Sequence, residues 1–405
     1  MKLPKTYPGG ARIGQLEEDG VVRTVRSKRL FRYYGLTDGP SEVATFESEV
    51  AAKLGTSHAL AVSSGTAALT AGLAALGVGP GDEVIVPAYT WISTASAVLT
   101  LGAVPVIAEI DASLTMDPTD LENVITKQTK AIIPVHMRGA AADLDPILEI
   151  AGRHHVPVLE DTAQAMGGAY HGVPLGTLGA IGAFSLQFNK TITSGEGGIV
   201  TSNDALLWQR ANMYHDVMAT LRGIGPLEVE AIVAQNLRMS ELQGAVARVQ
   251  LNRLDGIVVD GQRIQRTVIA GVSDALRAAD VTVRPTADPD GDIGVCIVLQ
   301  GSDAGRALQL MHAAVAEGLP AHRLYDAANR DFHVAAHWDP IVNRRWWSRI
   351  SPWDLHEGKV AYDDSRWGRS LDILGRSVHV ELSPELDDNQ IDFVVQGLNN
   401  ALRKL

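Results

Sequence analysis

One lysine lies where a solvated surface lysine is not expected. Residues 184–198 join an apolar run to a second one, 199–201, through a glycine-rich return, and Lys190 stands among small and apolar neighbours. It is the only lysine between residues 131 and 358. A partly desolvated ammonium has a lowered pKa and becomes a nucleophile for aldehydes at neutral pH. The segment therefore predicts a Schiff-base lysine, with a purely structural lysine as the alternative.

Two further groups follow apolar runs. Asp161 comes after the run 156–159, and a carboxylate there could pair with a protonated pyridine nitrogen, although it could equally cap a helix. Gly65 and Thr66 open a predicted helix whose free N–H groups and dipole favour an anion, although a glycine before a helix is often only a turn. Ligands of open parallel sheets bind beyond the carboxyl ends of the strands, so we expect these groups to share one site.

The elements that position these groups alternate from about residue 57 onward. Helical patterns separate the apolar runs; one lies near residues 94–101, and two others are opened by Asp117-Pro118 and Asp145-Pro146. The runs are too apolar to face water, which predicts an α/β fold with a mostly parallel sheet covered on both faces. The predicted strands are 58–62, 84–86, 104–107, 131–135 and 156–159.

The character of the chain changes after about residue 255. Alternation weakens there, and five of the seven tryptophans fall within residues 338–367. A length of 405 residues exceeds what one core usually supports. We therefore expect a large domain with an N-terminal arm, residues 1–255, and a smaller α+β domain, residues 256–405.

Composition excludes several classes of function. The formal charge of −12 repels nucleic acid and anionic membranes. The N-terminus has no apolar run typical of a secretory signal, and the uncharged stretches 59–81 and 84–108 are broken by Ser, Thr, Gly and Pro as in a buried core. The single cysteine, Cys296, is expected to be a small buried residue rather than a catalytic thiol. These features predict a cytoplasmic protein with no nucleic-acid or membrane partner.

Six motifs resemble the DegT/DnrJ/EryC1/StrS family of fold-type I, pyridoxal-phosphate-dependent aminotransferases. They occur in the family's order, and a weaker similarity follows at residues 382–397. The resemblance implies a fold-type I aminotransferase that uses pyridoxal 5'-phosphate. The motifs are SGTAAL (64–69), VPAYTW (86–91), PVH (134–136), EDTAQA (160–165), FSLQFNKTITSGEGG (184–198) and NLRMSELQ (236–243).

The resemblance also implies roles around the cofactor ring. Lys190 would form the Schiff base and shuttle protons, and Asp161 would pair with the pyridinium nitrogen. Trp91 would stack on the ring, with a core aromatic as the alternative, and Gln164 would bond the phenolic oxygen.

At the phosphate, the resemblance implies contacts from Gly65, Thr66 and Ser185. Asn236 would reach it from the neighbouring subunit, which implies a homodimer with composite active sites. No metal ion is predicted in the site.

The implied reaction moves an amino group from L-glutamine or L-glutamate to a keto-sugar or keto-cyclitol. Gln187 and residues 193–198 are similar to the cyclitol and aminohydroxybenzoate-type branch. His136 and Arg138 are the candidate substrate residues. Arg138 stands where the family often has an aromatic residue, and its cationic fork suits a carboxylate or phosphate, with a surface salt bridge as the alternative.

Two other functions remain open on the same scaffold. Keto-sugar dehydratases typically replace the Schiff-base lysine with histidine, so Lys190 argues against a dehydratase. A non-catalytic regulatory homologue would be expected to lose Lys190 or Asp161, and both are present.

Overall fold

The computed structural model describes residues 1–4, 8–33, 41–219 and 228–405. The prediction for the N-terminal segment falls partly on residues 5–7, which lie outside the described residues. The helices are α1 (Pro8–Ala11), α2 (Gln15–Ser27), α3 (Glu42–Leu54), α4 (Gly65–Ala75), α5 (Ser93–Thr100), α6 (Pro118–Val124), α7 (Leu144–His154), α8 (Ala205–His215), α9 (Glu241–Ala278), α10 (Ala304–Ala316), α11 (Asp339–Val342), α12 (Pro352–Leu355), α13 (Gly368–Gly375) and α14 (Asp388–Leu402).

The strands form two main sheets and a short hairpin. They are β1 (His58–Val62), β2 (Glu83–Pro87), β3 (Val104–Ala108), β4 (Thr129–Ile132), β5 (Leu159–Asp161), β6 (Ala169–Tyr170), β7 (Val173–Pro174), β8 (Ile181–Ser185), β9 (Gly198–Ser202), β10 (Thr282–Val283), β11 (Cys296–Gln300), β12 (Ala321–Arg323) and β13 (Ser377–Glu381).

The first sheet is the predicted, mostly parallel one. Its two halves have the orders β3-β2-β4 and β1-β9-β8-β5, and parallel bridges from Ile132 to Val158 and from Val135 to Asp161 join them between β4 and β5. The strand β9 runs antiparallel to both β1 and β8, whereas the pairs β2–β3, β2–β4 and β5–β8 are parallel. The carboxyl ends of β2, β4, β5 and β8 therefore meet at one edge of the sheet, which is the edge where open parallel sheets bind ligands.

Both faces of this sheet are covered. In β1, Leu60 and Val62 pack into the core that contains α4, whereas Ala59 and Ala61 pack into a second core with α3 and α9. Successive side chains of a strand point to opposite faces, so burial of both sets explains why these strands read as continuous apolar runs.

Helix starts were predicted with mixed success. Asp117 caps α6, and its carboxylate accepts a hydrogen bond from the Thr119 amide. The next prediction was wrong by two residues: α7 has Asp143 at its N-cap, and Asp145-Pro146 lies inside its first turn. Asp143 instead accepts a bond from the Tyr170 hydroxyl at 2.8 Å.

The second sheet is antiparallel, with the order β10-β11-β13-β12. The boundary expected at residues 255/256 falls inside α9, a 38-residue helix that contributes to cores on both sides of that point. The division into two domains stays a proposal. Among the described residues, no helix is both long and apolar enough to span a membrane.

Cys296 lies buried in β11, as expected. Burial raises the pKa of its thiol to about 11, which keeps it protonated and unreactive at neutral pH.

Candidate active site

A cavity of about 610 Å³ opens at the carboxyl ends of the parallel strands. Most of the residues singled out in the sequence line it, although they come from separate loops. They are Gly65, Thr66, Trp91, Arg138, Asp161, Gln164, Ser185 and Lys190.

Lys190 follows β8 in a tight turn, where its amide donates to the Gln187 carbonyl at 3.0 Å. Burial lowers the pKa of the ammonium; the charge of Asp161 opposes this shift, and that of Arg138 adds to it. Within the described part of the chain, the ammonium forms no ion pair. Its depressed pKa is the condition under which a lysine attacks an aldehyde at neutral pH.

Asp161 ends β5 and is almost fully buried. Its two oxygens accept hydrogen bonds from the Thr94 hydroxyl at 2.8 Å and from the Ala163 amide at 3.1 Å. Burial raises the pKa of this carboxyl, although the bond from Thr94 opposes the shift. Because both hydrogen-bond donors are neutral, a cationic ring nitrogen would offset the cost of burying the charge.

The first turn of α4 and the end of β8 approach each other closely. Ser64 caps α4, and its hydroxyl accepts from the Ala67 amide at 3.0 Å. A β-carbon on Gly65 would lie only 2.7 Å from that of Ser185. Glycine is therefore required here, and the free amides at the start of α4 and the Ser185 hydroxyl can converge on one phosphate.

Trp91 is 44% exposed on the cavity and is therefore not the core aromatic that was the alternative. Its ring lies 5.0 Å from that of His333 and contacts Phe332 edge-on. A half-exposed indole held by two neighbouring rings offers a flat face to a ligand.

Gln164 and Arg138 are linked through the backbone. The Gln164 side-chain oxygen accepts from the Arg138 amide at 3.3 Å, which leaves the Gln164 –NH₂ group as a donor. Such a donor suits a phenolate oxygen.

Arg138 has an unusual environment for a charged residue. Its backbone is left-handed (φ 55°), and its Nε donates to the hydroxyl of buried Tyr89 at 3.1 Å. Burial raises the pKa of Tyr89, so this partner stays neutral. Among the described residues, the guanidinium has no carboxylate partner, so the surface salt bridge considered above is absent. A cation in a cavity that makes no direct ion pair can attract an anion, although the charge of Asp331 acts on Arg138 from a longer distance.

His136 does not line this cavity. It is fully buried; its Nδ1 accepts from the Ala142 amide at 3.1 Å, and its Nε2 lies 3.0 Å from Glu160. Glu160 also accepts bonds from the amides of Gly176, Leu178 and Gly179. This network supports the strand end that carries Asp161. The geometry gives no support to a substrate contact by His136, which stays an untested prediction.

Asn236 also lies outside the cavity. It is exposed beside Lys28 and Phe31 in a separate groove, and its side-chain oxygen accepts from the Arg238 amide at 3.4 Å. Within one chain it therefore does not line the cavity that Gly65 and Ser185 line, although the next residue, Leu237, accepts a hydrogen bond from the Ser63 amide at 2.7 Å.

Several lining residues were missed by the sequence reading. Thr94 was placed only on a helix, although its hydroxyl orients Asp161. His333, His379 and Glu381 come from the C-terminal part of the chain, where no motif spacing marked them.

The residues present fit pyridoxal phosphate. The cavity combines amide and hydroxyl donors for a phosphate, a buried carboxylate for a ring nitrogen, an aromatic face and a lysine of depressed pKa.

Comparisons with known proteins agree with this fit. The model of the DegT/DnrJ/EryC1/StrS aminotransferase family matches residues 23–337. GDP-perosamine synthase of Caulobacter vibrioides is 42% identical over 55% of this chain and 59% of its own length. L-glutamine:scyllo-inosose aminotransferase of Streptomyces griseus is 41% identical over 60% of this chain and 58% of its own. The match thus spans about three fifths of each of these two relatives.

A solved structure matches over the full length. The crystal structure of 3-amino-5-hydroxybenzoic acid synthase superposes with a TM-score of 0.78 and 30% identity, covering 100% of both chains. This match confirms the expected fold-type I aminotransferase fold.

Proposed function

Because this chain belongs to the DegT/DnrJ/EryC1/StrS aminotransferase family, we propose that it is a pyridoxal-phosphate-dependent enzyme that moves an amino group from L-glutamine or L-glutamate to a keto-sugar or keto-cyclitol. The observation that carries the proposal is the presence of Lys190 and Asp161 in one cavity, with an aromatic face and a phosphate-binding turn around them. The bound cofactor would supply the aldehyde and the electron-withdrawing ring.

Lys190 has two tasks in this proposal. Its Nζ would form the covalent link to the cofactor, and as a free amine it would accept and return the proton of the reacting group. The lowered pKa supports both tasks, because a larger fraction of the amine is neutral at pH 7 than for a surface lysine.

The other residues hold the ring in place. Asp161, fixed by Thr94 and Ala163, keeps a proton on the ring nitrogen. Trp91 covers one face, and Gln164 donates to the phenolic oxygen. Gly65, Thr66 and Ser185 bind the phosphate. A ring fixed at these points keeps its reactive carbon within reach of Lys190.

The names of two relatives support the substrate class. One is a GDP-perosamine synthase, and the other uses L-glutamine and scyllo-inosose. A direct test offers the holoenzyme ¹⁵N-labelled L-glutamine with nucleotide-linked keto-sugars and scyllo-inosose analogues, and follows products by mass spectrometry. A labelled amine on one cyclic ketone supports the proposal. Loss of water from a ring, with no label gained, contradicts it and indicates a dehydratase.

Arg138 is proposed to bind an anionic group of a substrate. Loss of a charged hydrogen bond costs about 1.5–3 kcal/mol, so Arg138→Gln should raise the KM of that substrate roughly 10- to 150-fold with a smaller change in kcat. Steady-state kinetics with each substrate varied in turn identifies which one carries the anion. Arg277→Gln, at a surface ion pair on α9, is the control and should leave both KM values unchanged. Unchanged KM values in Arg138→Gln would refute a role for Arg138 in substrate binding.

We also propose a homodimer in which Asn236 acts on the partner's cofactor phosphate. Its exposure outside its own cavity supports this arrangement. Lys190→Ala and Asn236→Ala should each be poorly active alone. A mixture of the two should recover up to about a quarter of wild-type activity, because half of randomly assorted dimers are hybrids with one intact composite site.

The mixing experiment separates action in trans from action in cis. If Asn236 served its own chain, every site in a hybrid would keep one lesion, and activity would stay at the mean of the two parents. A fully active monomer in sedimentation would also refute the dimer.

A further inference from the structure

Two imidazoles and a carboxylate face one another on the C-terminal sheet. His322 on β12 lies directly opposite His379 on β13, and Glu381 follows two residues later on the same strand. Residues two apart in a strand share a face, so the three side chains lie on one side of the sheet. One ligating atom from each lies within 4.8 Å of the others.

His379 is the least satisfied member of this cluster. It is 3% exposed, and its Nδ1 is buried without a hydrogen-bond partner. The ring packs edge-on against that of His322 at 4.7 Å rather than against a hydrogen-bonding group. An unpaired buried polar atom destabilises the fold, and a ligand bound at this point would offset that cost.

We propose that His322, His379 and Glu381 bind one divalent transition-metal ion of the zinc type. Two histidines and a carboxylate form a recurrent three-residue ligand set for zinc, and such a set leaves a coordination position open. Imidazole nitrogen favours zinc and its neighbours in the first transition series over magnesium or calcium. Binding at this cluster is independent of the proposed amino transfer.

The charges around the cluster set a limit on its affinity. Arg138 is a neighbouring cation and would repel a bound metal ion. The negative charges of Glu381 and Asp331 oppose the effect of Arg138 on His322.

The rival interpretation is that the same groups bind hydroxyls of a polyol substrate directly, without metal.

An ion bound by this cluster would lie at the candidate active site. His379 and Glu381 line the same cavity as Lys190. If the proposed function holds, an ion held by these residues would lie in the cavity that binds the acceptor, and a hydroxyl or carboxylate oxygen of a cyclic ketone could coordinate it. Sequence spacing could not reveal this set, because its members lie on two strands that are distant along the chain.

Equilibrium dialysis of tag-free holoenzyme against Zn²⁺, with metal counted by mass spectrometry, tests the site without an activity assay. We expect about one tightly held Zn²⁺ per chain. His379→Ala, His322→Asn and Glu381→Gln should each weaken binding by more than the roughly 10- to 100-fold caused by loss of an outer-shell partner. His312→Ala, an exposed histidine on α10, is the matched control and should retain the ion.

Two results would overturn the proposal. One is a wild-type holoenzyme that holds no Zn²⁺. If the variants then raise the KM of the acceptor, the same groups bind its hydroxyls directly. The other is zinc binding that all three variants retain. Far-ultraviolet circular dichroism shows whether each variant is folded. If the variant of buried His379 does not fold, the variants of half-buried His322 and Glu381 decide the result.

Discussion

Replacing Lys190 with alanine should lower turnover by roughly 10⁴-fold or more, because the variant loses both the covalent attachment and the group that moves the proton. The basis is the half-buried position of Lys190 in the cavity and its lowered pKa. Borohydride reduction of the wild-type holoenzyme followed by peptide mapping should place the label on Lys190.

The control is an exposed lysine close to the same sheet. Lys130→Ala, in β4, should keep wild-type turnover and the reducible cofactor linkage. A label on Lys127, Lys130 or Lys359, or substantial turnover by Lys190→Ala, would contradict the assignment.

The variant Asp161→Asn should bind pyridoxal phosphate yet lose roughly 10²- to 10³-fold in kcat. Asparagine keeps the size of the side chain and can still accept the hydrogen bond from Thr94. Its neutral amide cannot hold the ring nitrogen in the protonated form, so the charge that builds up on the ring during proton movement is less stabilised.

Cofactor occupancy and turnover must be measured on the same sample. Asp145→Asn, an exposed carboxylate on α7, is the matched control and should leave both unchanged. Near-wild-type kcat in Asp161→Asn would refute the role, whereas loss of the cofactor would show that the carboxylate serves binding instead.

The shared cavity of Asp161 and Lys190 could be predicted because the signals that mark them are local. Asp161 and Lys190 each follow an apolar run, and in a parallel sheet such ends must converge. The positions of the two residues after apolar runs are therefore enough to predict that they share one site.

The environment of neighbouring residues could not be predicted in the same way. His136 and Arg138 are two residues apart, yet His136 is fully buried outside the cavity and Arg138 lines the cavity. The divergence depends on the left-handed turn at Arg138, where the following Gly139 also has positive φ. A non-glycine residue in that conformation is held by tertiary contacts, which spacing does not reveal.

The C-terminal contribution was hidden for a different reason. His379 and Glu381 reach the cavity on β13 of an antiparallel sheet whose pairing is long-range, and His333 reaches it from the segment after β12. Short strands such as β12 have no periodic pattern to identify them, so their side chains could not be assigned to the site.

The half-reaction is the most direct test of amino transfer. L-Glutamine or L-glutamate is added to the yellow holoenzyme without any acceptor, and the visible absorbance is followed while keto acid is assayed. The account predicts bleaching to pyridoxamine phosphate with an equal amount of keto acid released. An unchanged spectrum with both amino donors, from an enzyme that removes water from a hydroxylated ring, would contradict it.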